Sequence, residues 1–380
     1  MLWLSLLLCL IGIYSQILSL ANKKRLTELS STESCARNPL ISIAIPARNE
    51  ETTIENCLRS FMAQDYKNLE ILVLDDDSSD STAQKVLELQ KLDSRIIYIK
   101  GKHLQTGWKG KIYAMQQLFE ASNGEFLLFT DADTIHSPQS VGYGFHIMEK
   151  NKASLLSGYP LQRSKNRFTL ALISAMVFNT VLFIPLRFQE KLQSSFYAMA
   201  IGQYLFVRKA SLSDIGGFSL IKDNICDDVM LARVFAKTGH KQIFADMKNV
   251  VSCTMYHSFS DAFRGYERSI TGVVKQSPFT FLAILIVVIL LLGCVFAVPA
   301  AIFMLVYSLA HPELLMPALL LFLGSFLLFG SWNRMALFHG FPKNIAILGP
   351  FVFLLVIVMY LHGYYRKATG KGFTWKDRKI

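Results

Sequence analysis

The sequence predicts an α/β domain built on a mostly parallel sheet and flanked at both ends by apolar segments able to enter a membrane. Between Asn38 and about Tyr256, short apolar runs alternate with stretches of helical spacing. A charge-free run covers residues 2–20, and three more apolar stretches, 279–309, 314–331 and 345–363, lie toward the other end, each long enough for ~30 Å of hydrocarbon. Composition agrees. Of the 380 residues 52% are hydrophobic and 18% charged, below the roughly 25% of a soluble domain, which excludes a disordered or collagen-like chain.

The run at 2–20 is followed at once by Lys23, Lys24 and Arg25. A cleaved signal peptide carries its charge ahead of the apolar core, so this run reads as a retained anchor, and the basic cluster assigns the adjoining domain to the cytoplasm. The expected organisation is an anchor over 1–21, a basic linker over 22–37, a cytoplasmic domain over 38–278, a multi-pass membrane region over 279–363 and a basic tail over 364–380. Three crossings in that region would put Arg366, Lys367, Lys371, Lys376, Arg378 and Lys379 outside, against the preference of Lys and Arg for the cytoplasmic face. One of the three is therefore expected to be re-entrant or interfacial, near Pro299, Pro312 and Pro317. A further apolar stretch at 168–188 carries Thr169, Asn179 and Pro185. It is expected to lie in the interface as a helix, because crossing would separate the acidic motifs on its two sides.

The elements of the domain can be taken in order. A β-branched run at 41–45 ends at Pro46, and residues 50–64 place Ile54, Leu58 and Phe61 on one helical face. Residues 69–74 form the second strand, 81–91 the second helix, 96–100 the third strand, 111–122 the third helix and 126–130 the fourth strand. In such sheets ligands gather beyond the carboxyl ends of the strands. Pro46-Ala47-Arg48-Asn49-Glu50 comes after the first strand, Asp75-Asp76-Asp77 after the second and Asp131-Ala132-Asp133 after the fourth. Helix capping accounts for Asp80 or Ser81. Two carboxylates one residue apart at a strand end repel unless a cation joins them, and a hard divalent cation does so with one or two carboxylates plus substrate phosphate oxygens.

The net charge of +11 points to a polyanion. The basic residues cluster beside the apolar segments, where anionic lipid accounts for them, and no nucleic-acid motif is present. Six cysteines without a C-x-x-C pair form no disulfide framework and suit a reducing compartment.

Taken in order, IPARNE at 45–50, LDDDSSDST at 74–82, GWKGK at 107–111, TDAD at 130–133, AIGQ at 200–203, GGF at 216–218 and CDDVMLA at 226–232 resemble an inverting family 2 glycosyltransferase of GT-A fold, over about residues 40–270. GWKGK, the flanking apolar segments and GKGFTWKDR at 370–378 resemble its membrane-bound branch that glycosylates lipids, including the carotenoid-acid and hopanoid-associated enzymes. The resemblance implies transfer of a single sugar from a nucleotide-diphosphate sugar, usually UDP-linked, to a lipid-like acceptor. By position it puts Pro46, Arg48 and Glu50 along the nucleotide and Asp76 on the uracil N–H. Asp131 would reach the ribose or, through water, the metal, and Asp133 would ligate Mn²⁺ or Mg²⁺ bridging the diphosphate. Lys109 and Lys111 are available to the charge of the leaving group, with Trp108 beside them.

Asp227 and Asp228 open a helical stretch, where capping is one reading. A carboxylate beside another and near apolar walls has a raised pKa, which suits a base, and the resemblance puts that base at Asp228 with Asp227 in support. Gly202, Gln203 and Gly217 are implied as weaker members of a sugar or acceptor loop, although turns alone would explain the glycines. Processive members carry Q-x-x-R-W before their membrane region; here FRGYERSITG at 263–272 replaces it, which argues against a polymer synthase and adds Tyr266 and Arg268 as weak site residues. A processive polysaccharide synthase and a non-catalytic membrane scaffold are the alternatives. A scaffold has no use for Asp131, Asp133 and Asp228 together.

Overall fold

The computed structural model describes residues 2–29, 37–224, 226–273, 278–369, 374–375 and 378–379. The chain divides into two compact units, one of Arg25–Arg163, Leu186–Met255 and Thr374–Ile380, the other of Met1–Lys24, Ser164–Pro185 and Tyr256–Phe373.

A helix, α1 (Leu2–Leu29), comes first in the chain. The basic residues expected in a linker from residue 22 continue this helix, since nothing in KKRLTEL breaks one. The first unit then alternates β1 (Ile41–Ala47), α2 (Ile54–Met62), β2 (Leu69–Asp75), α3 (Thr82–Gln90), β3 (Ile96–Lys100), α4 (Gly110–Ala121) and β4 (Phe126–Phe129). After these come β5 (Thr134–His136), α5 (Ser140–Asn151), β6 (Leu155–Tyr159) and β7 (Leu161–Gln162). The strands and helices expected from spacing are all present, with ends moved by a few residues.

The chain leaves this unit through α6 (Arg167–Phe183) and returns with α7 (Leu186–Leu192). The break falls at Pro185, which lacks an N–H and keeps the residue before it out of helical geometry. The unit is completed by β8 (Leu205–Arg208), α8 (Lys209–Asp214), α9 (Asp227–Lys237), β9 (Gln242–Asp246) and β10 (Val251–Cys253).

Seven strands form one sheet in the order β3-β2-β1-β4-β8-β6-β9. Only β8 runs against its neighbours. Helices cover both faces, so β1, β2 and β4 are almost wholly buried and read as unbroken apolar runs. Alternate residues of one strand serve opposite cores. Ile41, Ile43 and Ile45 pack with Leu58, Phe61 and Val86, while Ala44 packs with Ile112, Leu118 and Phe235. The stripe Ile54, Cys57, Leu58 and Phe61 is what seats α2 on its face.

From β1 the chain adds strands outward on one side, then returns to place β4 on the other. The order therefore reverses between β1 and β4, and the residues just past these two strands face the crevice where such sheets bind ligands. A smaller sheet, β5-β10-β7, sets Cys253 opposite both Thr134 and Gln162, directly behind the Asp131–Asp133 turn. Because β6 pairs with β8 and β9, strands from both sides of α6 share one sheet. Helix α6 thus cannot carry its two flanks to opposite faces of a bilayer.

The second unit contains α1 up to Lys24, α6, and then α10 (Phe259–Val273), α11 (Pro278–Tyr307), α12 (Leu315–Phe338) and α13 (Gly349–Ala368). Among the described residues three helical stretches, Leu2–Leu29, Pro312–Phe338 and Ile345–Arg366, are long and apolar enough to cross a membrane. Most of the string GKGFTWKDR lies outside the described residues. Helices α1 and α12 meet backbone to backbone: a Cβ on Gly12 would stand 2.6 Å from the Gly324 carbonyl oxygen, so only glycine permits this crossing. Polar contacts continue along the pair. Gln16 Nε2 donates to the Leu327 carbonyl at 2.7 Å, Ser331 Oγ to Ser15 Oγ at 3.0 Å and Arg334 to Ser19 Oγ at 3.0 Å. Numbers rise together along both helices, so they run parallel.

Candidate active site

Lys111, in the first turn of α4, stands between the carboxylates of two separate motifs. Its Nζ is 2.7 Å from Asp131 Oδ1, just past β4, and 3.6 Å from Asp227 Oδ2, at the start of α9. Burial alone would lower the Lys111 pKa, but Asp131 and then Asp227 outweigh it and hold the ammonium charged, above its ordinary value.

Asp228 is held at both oxygens. Oδ2 accepts the Gly202 N–H at 2.9 Å, and Oδ1 accepts the Val229 N–H at 2.7 Å. Burial, then the neighbouring Asp227, push the Asp228 carboxyl up to about 7. Capping and chemistry coexist here, since Asp227 and Asp228 occupy the first turn of α9, where negative charge is favoured.

Asp133 is likewise pushed up to about 7, by burial and then by Asp131 and Glu50. Its Oδ1 is buried without a hydrogen-bond partner. An orphaned carboxylate oxygen among acids is what a divalent cation would satisfy. Among the described residues no three His, Cys, Asp or Glu side chains form a ready-made metal cluster. The hard-oxygen donors Asp133 and Asp131 therefore fit an ion whose remaining ligands come from phosphate and water.

The other end of the crevice is built from loops after β1 and β2. The Arg48 guanidinium donates to the Asp76 carbonyl at 2.5 Å and the Asp77 carbonyl at 2.9 Å, and Asp76 N–H donates to the Ala47 carbonyl at 2.8 Å. Asn49 and Asp77 have φ of 51° and 60°, a conformation these residue types tolerate better than most. Asn49 N–H donates to Ser78 Oγ at 3.0 Å and its side-chain oxygen accepts the Ser79 N–H at 2.9 Å, which fixes the two loops together. Pro46 closes β1 beside them, and Glu50 accepts the Thr53 hydroxyl at 2.8 Å. Asp80 accepts the Thr82 and Glu51 N–H groups from one residue ahead of the N-cap Ser81, whose own side chain makes no cap bond.

Of the remaining expected residues, Gln203 joins the centre: its Nε2 donates to Cys253 Sγ at 3.0 Å and its Oε1 accepts from Gln162 at 2.9 Å. Trp108 packs against Tyr113, ring centroids 5.5 Å apart, and Lys109 N–H donates to the Lys222 carbonyl. Gly217, at φ 69°, closes α8 against Gln116, whose Oε1 would be 2.5 Å from a Cβ there. Tyr266 and Arg268 lie on α10 of the helical unit, Tyr266 buried.

Sequence reasoning missed the support behind Asp131 and Asp133. Thr130, Thr134 and His136 are buried polar residues within a few positions of the acids, and Cys253 hydrogen-bonds Asp133. The legible signal was in TDADTIH itself, where Thr134 and His136 alternate with an apolar residue in a short strand and so share a face. Cys57 and Cys253 are buried, and burial pushes both thiols up, leaving them inert.

Residues 42–216 match the family model described as glycosyl transferase family 2. It is 37% identical over 119 residues to an Escherichia coli UDP-Glc:alpha-D-GlcNAc-diphosphoundecaprenol beta-1,3-glucosyltransferase, covering 31% of this chain and 45% of that one. It is 32% identical over 175 residues to a Campylobacter jejuni GalNAc(5)-diNAcBac-PP-undecaprenol beta-1,3-glucosyltransferase, covering 40% and 56%. The chain thus spans about half the length of these curated relatives. A Pyrobaculum calidifontis mannosyltransferase, solved in complex with GDP-Man and Mn2+, shares the fold over 95% of this chain and 99% of that one, with a TM-score of 0.55 at 17% identity. The architecture is the GT-A fold.

Proposed function

We propose that this chain is a membrane-bound inverting glycosyltransferase that moves one sugar from a nucleotide-diphosphate sugar, a UDP-hexose above all, to a lipid-like acceptor. The observation that carries the proposal is Asp228, held by the Gly202 N–H at 2.9 Å with its carboxyl near 7, beside the Lys111–Asp131 pair. A base poised near neutral pH is what a hydroxyl acceptor requires.

In this reading the acceptor hydroxyl gives its proton to Asp228 as its oxygen bonds to the anomeric carbon. The bond from that carbon to the diphosphate breaks with its electron pair, in a single displacement with inversion. Mn²⁺ or Mg²⁺ held by Asp133, with Asp131, would offset the charge that develops on the departing diphosphate. Asp227 supports the base by raising its pKa, and Lys111 holds Asp131 and Asp227 in place. The loops braced by Arg48 would receive the nucleoside, with Asp76, Pro46 and Glu50 beside it. Trp108, Gly202, Gln203, Gly217, Tyr266 and Arg268 are weaker members of the sugar or acceptor side.

The lipid-linked acceptors in the names of the two bacterial relatives support the acceptor class, and the first name supports UDP-glucose as donor. Apolar helices suited to a membrane, with Lys23, Lys24 and Arg25 after the first run, support a multi-pass chain with its sheet unit in the cytoplasm. A Staphylococcus epidermidis poly-beta-1,6-N-acetyl-D-glucosamine synthase, 25% identical over 193 residues, keeps a processive reading in the test.

The test is incubation of membranes containing the chain with UDP-hexose and Mn²⁺, followed by lipid extraction and mass spectrometry. One added hexose per lipid with release of UDP supports the proposal. A ladder of hexoses means a processive enzyme, and no metal-dependent product overturns the reading.

A further inference from the structure

Behind the acidic turn lies a closed polar network inside the apolar core. His136 Nε2 is 3.1 Å from Thr130 Oγ1 and 3.1 Å from Thr134 Oγ1, and its Nδ1 is 3.2 Å from Ser140 Oγ. All four side chains are buried. The Thr134 hydroxyl donates to the Asp131 carbonyl at 2.7 Å and the Thr130 hydroxyl to the Gln203 carbonyl at 2.8 Å, with the two hydroxyl oxygens 2.9 Å apart. With the threonine protons on those carbonyls, Nε2–H donates to the pair, and the one Ser140 proton is shared between Nδ1 at 3.2 Å and Gln64 Oε1 at 3.1 Å. Gln64 anchors the far side. Its amide donates to the Ser60 and Ser137 carbonyls at 3.0 and 2.7 Å, and its oxygen accepts from Ser140 at 3.1 Å and Val141 N–H at 3.2 Å. The imidazole ring is packed between Phe61, at 4.3 Å, and Tyr204, at 6.1 Å.

The two carbonyls gripped by the threonines belong to different halves of the centre. Asp131 opens the acidic pair, and Gln203 comes after Gly202, whose N–H holds Asp228. We propose that His136 is a positioning residue: through Thr130 and Thr134 it sets the Asp131–Asp133 turn at a fixed distance from the Gly202–Gln203 loop, and so registers the diphosphate end of the site with its base. The inference rests on the catalytic reading above for its consequence, while the mechanical coupling it asserts stands on the network alone. Burial holds the ring down at about 3, with no carboxylate among its contacts, so the network is neutral at every working pH and moves no proton in the reaction.

The test compares His136→Phe, which keeps the volume and loses the hydrogen bonds, with His136→Gln, which restores a donor. Hydrogen–deuterium exchange on the detergent-solubilised full chain reads the coupling directly. In His136→Phe the segments 130–136 and 200–204 should both exchange at least about tenfold faster, with β1 and β2 unchanged and His136→Gln intermediate. Mn²⁺ binding in the presence of UDP should weaken several-fold and kcat should fall about 10- to 100-fold, with the acid limb of the pH profile in place. Loosening of one segment without the other, unchanged exchange in His136→Phe, or a displaced acid limb would each overturn the proposal. A wild-type chain that neither binds Mn²⁺ with UDP nor transfers sugar sinks the catalytic reading instead, and leaves the exchange comparison to decide the role of His136.

Discussion

The Gly202 N–H donates to Asp228 Oδ2 at 2.9 Å, and a Cβ on Gly202 would stand 3.3 Å from Lys111 Nζ and 3.7 Å from that same oxygen. This glycine is thus where the Asp228 carboxylate, Lys111 and the 200–203 loop come together. Gly202→Ala forces a shift of a few tenths of an ångström among groups whose spacing sets the chemistry, and small misplacements cost up to about 100-fold in rate. A loss of roughly 10- to 100-fold in kcat is expected, with Tm within a few degrees of wild type. Full activity would remove Gly202 from the centre.

In the proposed role Asp228 must be ionised to accept a proton, and burial and Asp227 put its carboxyl near 7. The active form is the deprotonated one, so kcat/KM should fall about tenfold per unit as pH drops below ~7. Asp228→Asn should lose at least about 100-fold in kcat while still binding UDP. A profile flat from pH 5 to 8 contradicts the assignment.

Asp133 Oδ1 is buried and unsatisfied in the protein itself. Asp133→Ala is expected to abolish Mn²⁺ binding in the presence of UDP, seen as free Mn²⁺ by electron paramagnetic resonance, and with it UDP-sugar turnover. Membrane insertion should be unaffected. Retention of tight Mn²⁺ binding moves the metal elsewhere.

The crossing of Gly12 over Gly324 leaves no room for a side chain. Gly324→Leu should destabilise the helical unit by about 1–3 kcal/mol through overpacking, measured as a lower melting temperature in detergent. Leucine at Gly293, whose surroundings within 4 Å are open, should do much less.

Gln16 and Ser15 carry the same crossing in hydrogen bonds. Replacing Gln16 with Leu should weaken it by about 1 kcal/mol, the usual size for a polar contact between membrane helices. A reporter restricted to the cytoplasm should read the same side at Asn166 and His240, because α6 returns the chain to one sheet.

Much of this was legible because the relevant physics is local. Short apolar runs and one-sided helical stripes located β1 to β4 and α2 to α4, and acids at a strand end marked Asp131 and Asp133 without any knowledge of distance, while Asp228, at the start of α9, was marked by the resemblance. The supports were not legible because they depend on pairing. Cys253 reaches Asp133 only through the register of β10 with β5, and Gln203 reaches Cys253 across 50 positions. Lys111 reads in sequence as a cation free for a leaving group, yet it is committed to Asp131 and Asp227, a fact set by how α4 meets α9. The long apolar helices show the same limit: hydropathy finds α1 and α12 but is blind to their parallel contact.

That parallel contact also orders events in time. Leu327 lies 311 positions after Gln16, which at about 5–20 residues per second is roughly 15–60 s of synthesis. Through that interval α1 has no α12 to receive its glutamine amide, while every strand of the large sheet, from Ile41 to Asp246, is made within it. The sheet unit can therefore complete its folding before α1 has its α12 partner, so a helix made before the sheet completes its own contacts after it.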